Sequence, residues 1–356
     1  MPETVTIFGG GIDGANYENS KITMKSGKIT NIVGGGVSTK KDVISKVVNV
    51  DIEINGGKVI NNVIGGGYLY AQVENSNITI NNATIGAVAG GGMASVPIGG
   101  TSYNVGTKEK SQESENRVEN TKITINSGTI NSEVLGYGIV QGGGQGYSYT
   151  GTTKVILNGG DLSTSYFTAG GSNGYTKEAN VTINDGNVNL FQSVNRGTVE
   201  KATVKVNGGT IEKFYIGGET EDETVTGSIN KVETDILGGK ITNLSEGKNN
   251  SESLIIDGEN YSVVKSDSAQ IDTDNIKTGE KTISYSINVF PKVVRIAKGS
   301  SLSIRPIVTT NPIGYEHLFL NSVKWNSSNE NIVKITDGGI VTGTEERYSN
   351  SYSYFA

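Results

Sequence analysis

A six-residue turn comes back eight times along this chain, and it limits the possible folds more than any other feature. Its type copy is Ile125-Asn126-Ser127-Gly128-Thr129-Ile130. The frame begins again at Met24, Ile54, Ile80, Leu157, Ile183, Val206 and Ile236. It reads aliphatic, two turn residues, glycine, one polar residue, aliphatic. Glycine at the fourth place supplies a backbone with positive φ that a β-carbon resists. Asn at the second place bonds neighbouring backbone and itself tolerates the left-handed region. Successive copies start 30, 26, 45, 32, 26, 23 and 30 residues apart. Periods of that size point to stacked repeats.

Each copy sits in a larger unit. An alternating strand precedes the turn, as at 118–125, and a second short strand follows it, as at 59–64. The second strand runs into a glycine cluster: Gly34-Gly35-Gly36, Gly65-Gly66-Gly67, Gly90-Gly91-Gly92 or Gly142-Gly143-Gly144. A variable polar loop then leads to the next unit. Apolar residues alternate with a period of two, and no segment sustains a 3.6-residue period. The expectation is an all-β protein whose residues 1–262 form a right-handed parallel β-helix, a β-solenoid of about nine coils and roughly 40 Å. Gly makes up 50 of 356 residues without a period of three, which excludes collagen. An apolar content of 34% suits a thin solenoid, in which only inward columns are buried.

Insertions are expected after the glycine clusters, so that loops crowd along one edge of the rod. The longest spans about 93–117, with a charged tip at Lys108-Glu109-Lys110. The candidate ligand-binding residues are the tyrosines assigned to these loops: Tyr68, Tyr70, Tyr103, Tyr147, Tyr149 and Tyr175. An exposed phenol offers apolar area and a hydroxyl together, which suits sugar rings and protein partners alike. Packing of one loop over another is the competing reading.

Residues 263–283 are polar and read as a linker. From Ser284 the texture changes: glycine thins, Pro291, Pro306 and Pro312 appear, and the single tryptophan, Trp325, arrives. Short strands at 287–290, 302–308, 323–325 and 332–335 form a small β-sandwich pattern. Residues 284–356 resemble the group 2 bacterial immunoglobulin-like domain. The matching stretches are Val289-Phe290-Pro291, Lys298-Gly299-Ser300-Ser301-Leu302, Val323-Lys324-Trp325-Asn326-Ser327-Ser328-Asn329 and Ile332-Val333-Lys334-Ile335-Thr336-Asp337-Gly338-Gly339-Ile340-Val341-Thr342-Gly343. The resemblance implies an Ig-like sandwich with Trp325 on a buried strand. It departs at Tyr348 to Phe355, where the family carries a Gly/Ala/Thr-rich final strand, so truncation is an open reading. The solenoid resembles the Gly-rich β-helical repeats of bacterial surface adhesins and phage tail proteins. Both resemblances imply display outside the cell and binding without chemistry.

The chemical alternatives are poorly supplied. The chain has no Cys, which excludes a disulfide framework and thiolate metal sites. Net charge is −6 with no basic run, against a nucleic-acid partner, and no apolar stretch approaches a membrane span. β-Helical glycosidases and lyases need paired carboxylates or a basic catalyst. Here the one His, His317, lies in the second domain, and Arg117 and Arg196 fall in different coils. The acidic residues Glu219, Glu221, Asp222 and Glu223 read as a solvated loop. Asp272-Thr273-Asp274-Asn275 lacks the Gly and distal Glu of a calcium loop. The Asn column at 55, 81, 126, 158, 184 and 207 reads as a stacked amide ladder. No metal or cofactor is expected. The N-terminus does not read as a signal peptide, which favours a phage virion component such as a tail fibre, baseplate or decoration protein. A secreted Gram-positive adhesin is the alternative, and a polysaccharide lyase or hydrolase the second. Expected partners are a cell-surface glycan or protein and other virion or cell-wall proteins, with homo-oligomerisation open.

Overall fold

The computed structural model describes residues 5–98, 101–104, 107–218, 227–249, 252–253, 261–276, 280–281, 283–311, 313–320 and 323–345. The acidic residues 219–223, the stretch 254–258 read as a degenerate last coil, and the closing residues 348–355 lie outside them. Contacts divide the chain into two compact units, Met1–Lys281 and Thr282–Ala356.

The first unit is a stack of parallel strands in two long sheets. Sheet I takes Thr6–Phe8, Lys28–Val33, Lys58–Ile64, Ala83–Ala89, Gly128–Ile130 with Gly138–Gln141, Asp161–Thr168, Asn187–Gln192, Thr210–Tyr215, Lys240–Ser245 and Gln270–Asp274. Sheet II takes Asn16–Met24, Ser45–Ile54, Ala71–Ile80, Arg117–Ile125, Tyr149–Leu157, Tyr175–Ile183, Thr198–Val206, Ser228–Ile236, Tyr261–Lys265 and Glu280–Lys281. The chain alternates between them, one strand to each per turn of the coil. A narrow third side is marked by a two-residue pairing of Val37–Ser38 with Tyr68–Leu69 and by single bridges running on from Tyr68 to Met93, Gln145 and Ser172.

Register puts like over like. Ile22, Ile52, Ile78, Ile123, Val155, Val181 and Val204 form one inward column of sheet II. In sheet I the inward column reads Ile32, Val63, Val88, Val140 and then Phe167, Phe191, Phe214. The phenylalanine rings meet at 5.1 and 4.8 Å. All three are fully buried, and such burial stabilises by about 1.5–3 kcal/mol per side chain. The core therefore lies between the two sheets.

The two glycine motifs do different work. Gly128, in the repeated turn, has φ +112°, and a β-carbon there would also lie 2.4 Å from the carbonyl oxygen of Ala83. In the copy that carries Ala83 at the fourth place, the positive φ moves to Asn82, at +52°. In the clusters the reason is close approach. A β-carbon on Gly66 would sit 2.6 Å from the backbone of Gly92 in the next coil.

The structure departs from the sequence reading in three places in this unit. Of residues 263–283, expected as a linker, 263–276 and 280–281 continue the solenoid: Tyr261–Lys265 pairs with Ser228–Ile236, Gln270–Asp274 with Lys240–Ser245, and Glu280–Lys281 with Tyr261–Lys265. Val263 is buried among the core side chains, and Val264 on the opposite face is buried too, which the polar flanks concealed. Lys265 and Asp274 stand in register with Ile236 and Leu244 and pair at 2.5 Å, so a partly exposed ion pair follows the apolar columns at the end of the stack. Each sheet consequently has ten levels where about nine were expected. The insertions do not all fall after glycine clusters. Residues 131–137 loop out of sheet I between Gly128–Ile130 and Gly138–Gln141, both of which pair with Ala83–Ala89.

The second unit is antiparallel. Ser284–Phe290 pairs with Arg305–Asn311, and Ser301–Ser303 and Val333–Ile335 flank Ile340–Gly343. Trp325, Ile304, Val333 and Val341 form its buried cluster. Residues 323–325, expected as a strand, are irregular, although Trp325 is buried all the same. A short helix, Glu316–Leu320, carries His317 and had no counterpart in the strand pattern.

Candidate functional site

The six tyrosines singled out in the sequence are not gathered into one exposed edge. Tyr149 and Tyr175 lie on adjacent strands of sheet II, in register with Arg117. Their rings stack at 5.5 Å with 15° between planes, and the Arg117 guanidinium lies 3.7 Å over Tyr149. This pile is closed to solvent at Tyr175, which is buried. Burial, and then the neighbouring Glu200 carboxylate, push the Tyr175 phenol well above its ordinary value. Tyr68 bridges Val37 and Met93 on the third side and meets Phe8 edge-on at 5.5 Å. Burial raises its phenol to about 12. Tyr70 and Tyr147 are half-buried, Tyr147 with φ +70°. Tyr103 belongs to a hairpin of Ser95–Ile98 with Thr101–Asn104, opposite Val96. Its side chain lies outside the described residues.

Among the described residues of the solenoid, the tyrosines exposed by more than a third are Tyr17, Tyr137 and Tyr166. Two of these frame a depression on the outer face of sheet I, with a volume of about 350 Å³. That is the lower end of the range for small-molecule sites, ~300–1,000 Å³. Its floor follows from register. Ile139, Tyr166 and Leu190 form one outward column, and Gln141, Thr168 and Gln192 form the next. Tyr137 enters from the looped-out segment 131–137 and meets Tyr166 edge-on at 4.9 Å and 80°. The root of that segment is tied down by an ion pair between Glu133 and Lys58. A hydrogen bond from the Lys58 ammonium, with its charge, holds the Glu133 carboxyl below its usual range. Ser172, Asn195 and Arg196 complete the wall from the corners that follow the sheet I strands.

Two features give the depression chemical direction. The Gln141 side chain is 4% exposed, and its Oε1 accepts no hydrogen bond among the described residues. A buried acceptor left unpaired costs about 1–3 kcal/mol, so it favours a donor brought by a ligand. Arg196 is exposed and forms no ion pair among the described residues. Ring faces, amides, hydroxyls and one fixed positive charge are the chemistry of holding a polar ligand.

The other candidates resolve into structure. The turn asparagines form a ladder in which each Nδ2 donates to the Oδ1 of the coil before: Asn81 to Asn55, Asn126 to Asn81, Asn158 to Asn126, Asn184 to Asn158 and Asn207 to Asn184, at 2.7–2.8 Å. A second ladder, not foreseen, joins Asn19, Asn49, Asn75 and Asn120 at 3.1–3.2 Å. Asp272 pairs with Lys240, and Asp274 with Lys265. Among the described residues no group of three or more His, Cys, Asp or Glu side chains could hold a metal ion, and no helix is long and apolar enough to cross a membrane.

The sequence reading missed the depression because it sought tyrosines on loops beside glycine clusters. Tyr166 sits within a strand, and the alternation Ser165-Tyr166-Phe167-Thr168 was the available signal that it faces outward. Comparison of the chain with protein-family profiles, curated proteins and solved structures finds no match.

Proposed function

We propose that this chain is a non-catalytic attachment protein displayed on an exterior surface, as a virion tail-fibre, baseplate or decoration protein or on a bacterial cell wall. In this reading the solenoid is a stiff rod that presents a binding surface for a surface glycan or protein. Its coils wind right-handed, as crossovers between parallel strands do. The unit Thr282–Ala356 is a group 2 bacterial Ig-like domain. The buried cluster of Trp325, Ile304, Val333 and Val341 supports that assignment.

The observation that carries the proposal is the exposed Tyr137–Tyr166 pair beside a floor of amides and hydroxyls, set on strands paired on both sides. Aromatic anchors on a rigid support are the usual source of binding energy at recognition surfaces. The test incubates the full chain with intact bacterial cells and with isolated cell-wall and capsular glycans, then measures retention and soluble products. Retention without new reducing ends or unsaturated sugars is expected. Release of such products would overturn the non-catalytic reading, and retention on none of the surfaces would overturn attachment.

A further inference from the structure

We infer that the depression on sheet I is a subsite for an acidic saccharide, a sugar ring bearing a carboxylate, held by Tyr137, Tyr166, Gln141, Gln192 and Arg196. This rests on the attachment reading and deepens it by naming the ligand.

The lining supplies each part of such a ring with a partner. Tyr137 and Tyr166 are 37% and 39% exposed and offer ring surface to the apolar C–H face of a pyranose. Gln141 lines the depression, and its Oε1, buried and without a donor among the described residues, is the acceptor assigned to a sugar hydroxyl. Gln192, in the same column, donates from Nε2 to the Thr168 hydroxyl at 3.4 Å and fixes the polar floor beside the aromatic rings.

The carboxylate follows from Arg196. A guanidinium presents a planar fork of donors that matches a carboxylate in two parallel hydrogen bonds. Arg196 stands at the wall with no acidic partner among the described residues, and Lys213 lies beside Leu190 on the next strand. The positive character is local, since the chain as a whole carries −6.

A peptide is a poorer fit. Extended peptides dock by adding a strand to a free sheet edge. The strands under the depression are paired on both sides, Asp161–Thr168 with Gly138–Gln141 and Asn187–Gln192, and the latter again with Thr210–Tyr215.

The experiment is calorimetric titration of the full chain with a galacturonate tetramer, a hyaluronan tetrasaccharide and sialyllactose, each alongside its methyl ester. The ester keeps the shape and removes the charge. At least one acid should bind, with its ester tenfold weaker or worse. Tyr166→Ala should weaken binding about 30-fold, and Arg196→Gln should reduce the acid to the affinity of its ester. Melting temperatures are recorded for every variant, so that unfolding is not read as lost binding. Equal binding of acid and ester, full affinity in both variants, or binding of none of the acids would overturn the inference. If the parent chain still adheres to cells or glycans in that last case, the acidic-sugar assignment falls alone. Absence of adherence as well would overturn both readings.

Discussion

Glycine residues that look alike in the sequence are required for separable reasons. At Gly27 the backbone has φ +95° and nothing lies within 4 Å of a β-carbon, so substitution meets only backbone strain. At Gly66 the backbone is ordinary, but the β-carbon would overlap Gly92 in the neighbouring coil. At Gly128 both problems coincide. Gly27→Ala should therefore cost about 1 kcal/mol, at the low end of the cost of a left-handed non-glycine residue. Gly66→Ala should cost about 1–3 kcal/mol through overpacking, and Gly128→Ala the most of the three. Gly27→Asn should be milder than Gly27→Ala, because asparagine tolerates the left-handed region, as Asn82 does here. Denaturant unfolding of the four variants checks the order. A Gly66→Ala variant as stable as the parent would show that the coils can separate at the clusters without cost.

At the scale of elements, the solenoid is held by columns, and the exposed ones are as ordered as the buried ones. Inward aliphatic and aromatic side chains stack coil on coil, and the six turns from Asn55 to Asn207 each contribute one amide to the ladder. An interior rung such as Asn126 makes two ladder bonds, to Asn81 and from Asn158. Asn207 makes one, to Asn184, because the next coil carries Leu237 at that place. A net hydrogen bond contributes about 0.5–1.5 kcal/mol, and exposure puts these near the lower figure. Asn126→Ala should thus lower stability by about 1 kcal/mol and Asn207→Ala by about half as much. Thermal melting of both variants reads the difference. Equal losses would show that the amides act through their own turns and not through the ladder.

At the scale of the molecule, where the solenoid ends decides how the chain can be divided. The ion pair of Lys265 with Asp274 stands at the end of the core columns, Val263 is buried in the core and Val264 is buried on the opposite face. A fragment of residues 1–281 keeps this closing coil and should melt at the temperature of the solenoid in the full chain. A fragment cut at 262 loses both valines, worth about 1.5–3 kcal/mol each, and leaves the strand Lys240–Ser245 without its neighbour. It should melt measurably lower and associate more readily through its open end. Identical melting of the two fragments would mean that the closing coil contributes nothing to the stack. The unit from Thr282 has its own buried cluster around Trp325 and is expected to unfold in a separate transition.

The amino-acid sequence by itself determined the architecture of the first unit. The recurring turn, the period-two alternation and the asparagine at the second place are local patterns. Stacking repeats them vertically, so strands, turns and amide ladder were all legible before any coordinates. The closing coil was not legible, because Lys265 and Asp274 stand where the coil before carries Ile236 and Leu244, and these polar residues form a partly exposed ion pair at the end of the stack. Residues 131–137 were not legible as a loop either, because insertions were sought only after the glycine clusters. Tertiary structure alone decided the depression. Gln141, Thr168 and Gln192 are 27 and 24 residues apart and become neighbours only once three coils are in register. A shift of one residue in that register would send the whole column to the opposite face. The position of a side chain along the strand is written locally, but what lies above and below it is set by loop lengths elsewhere in the chain.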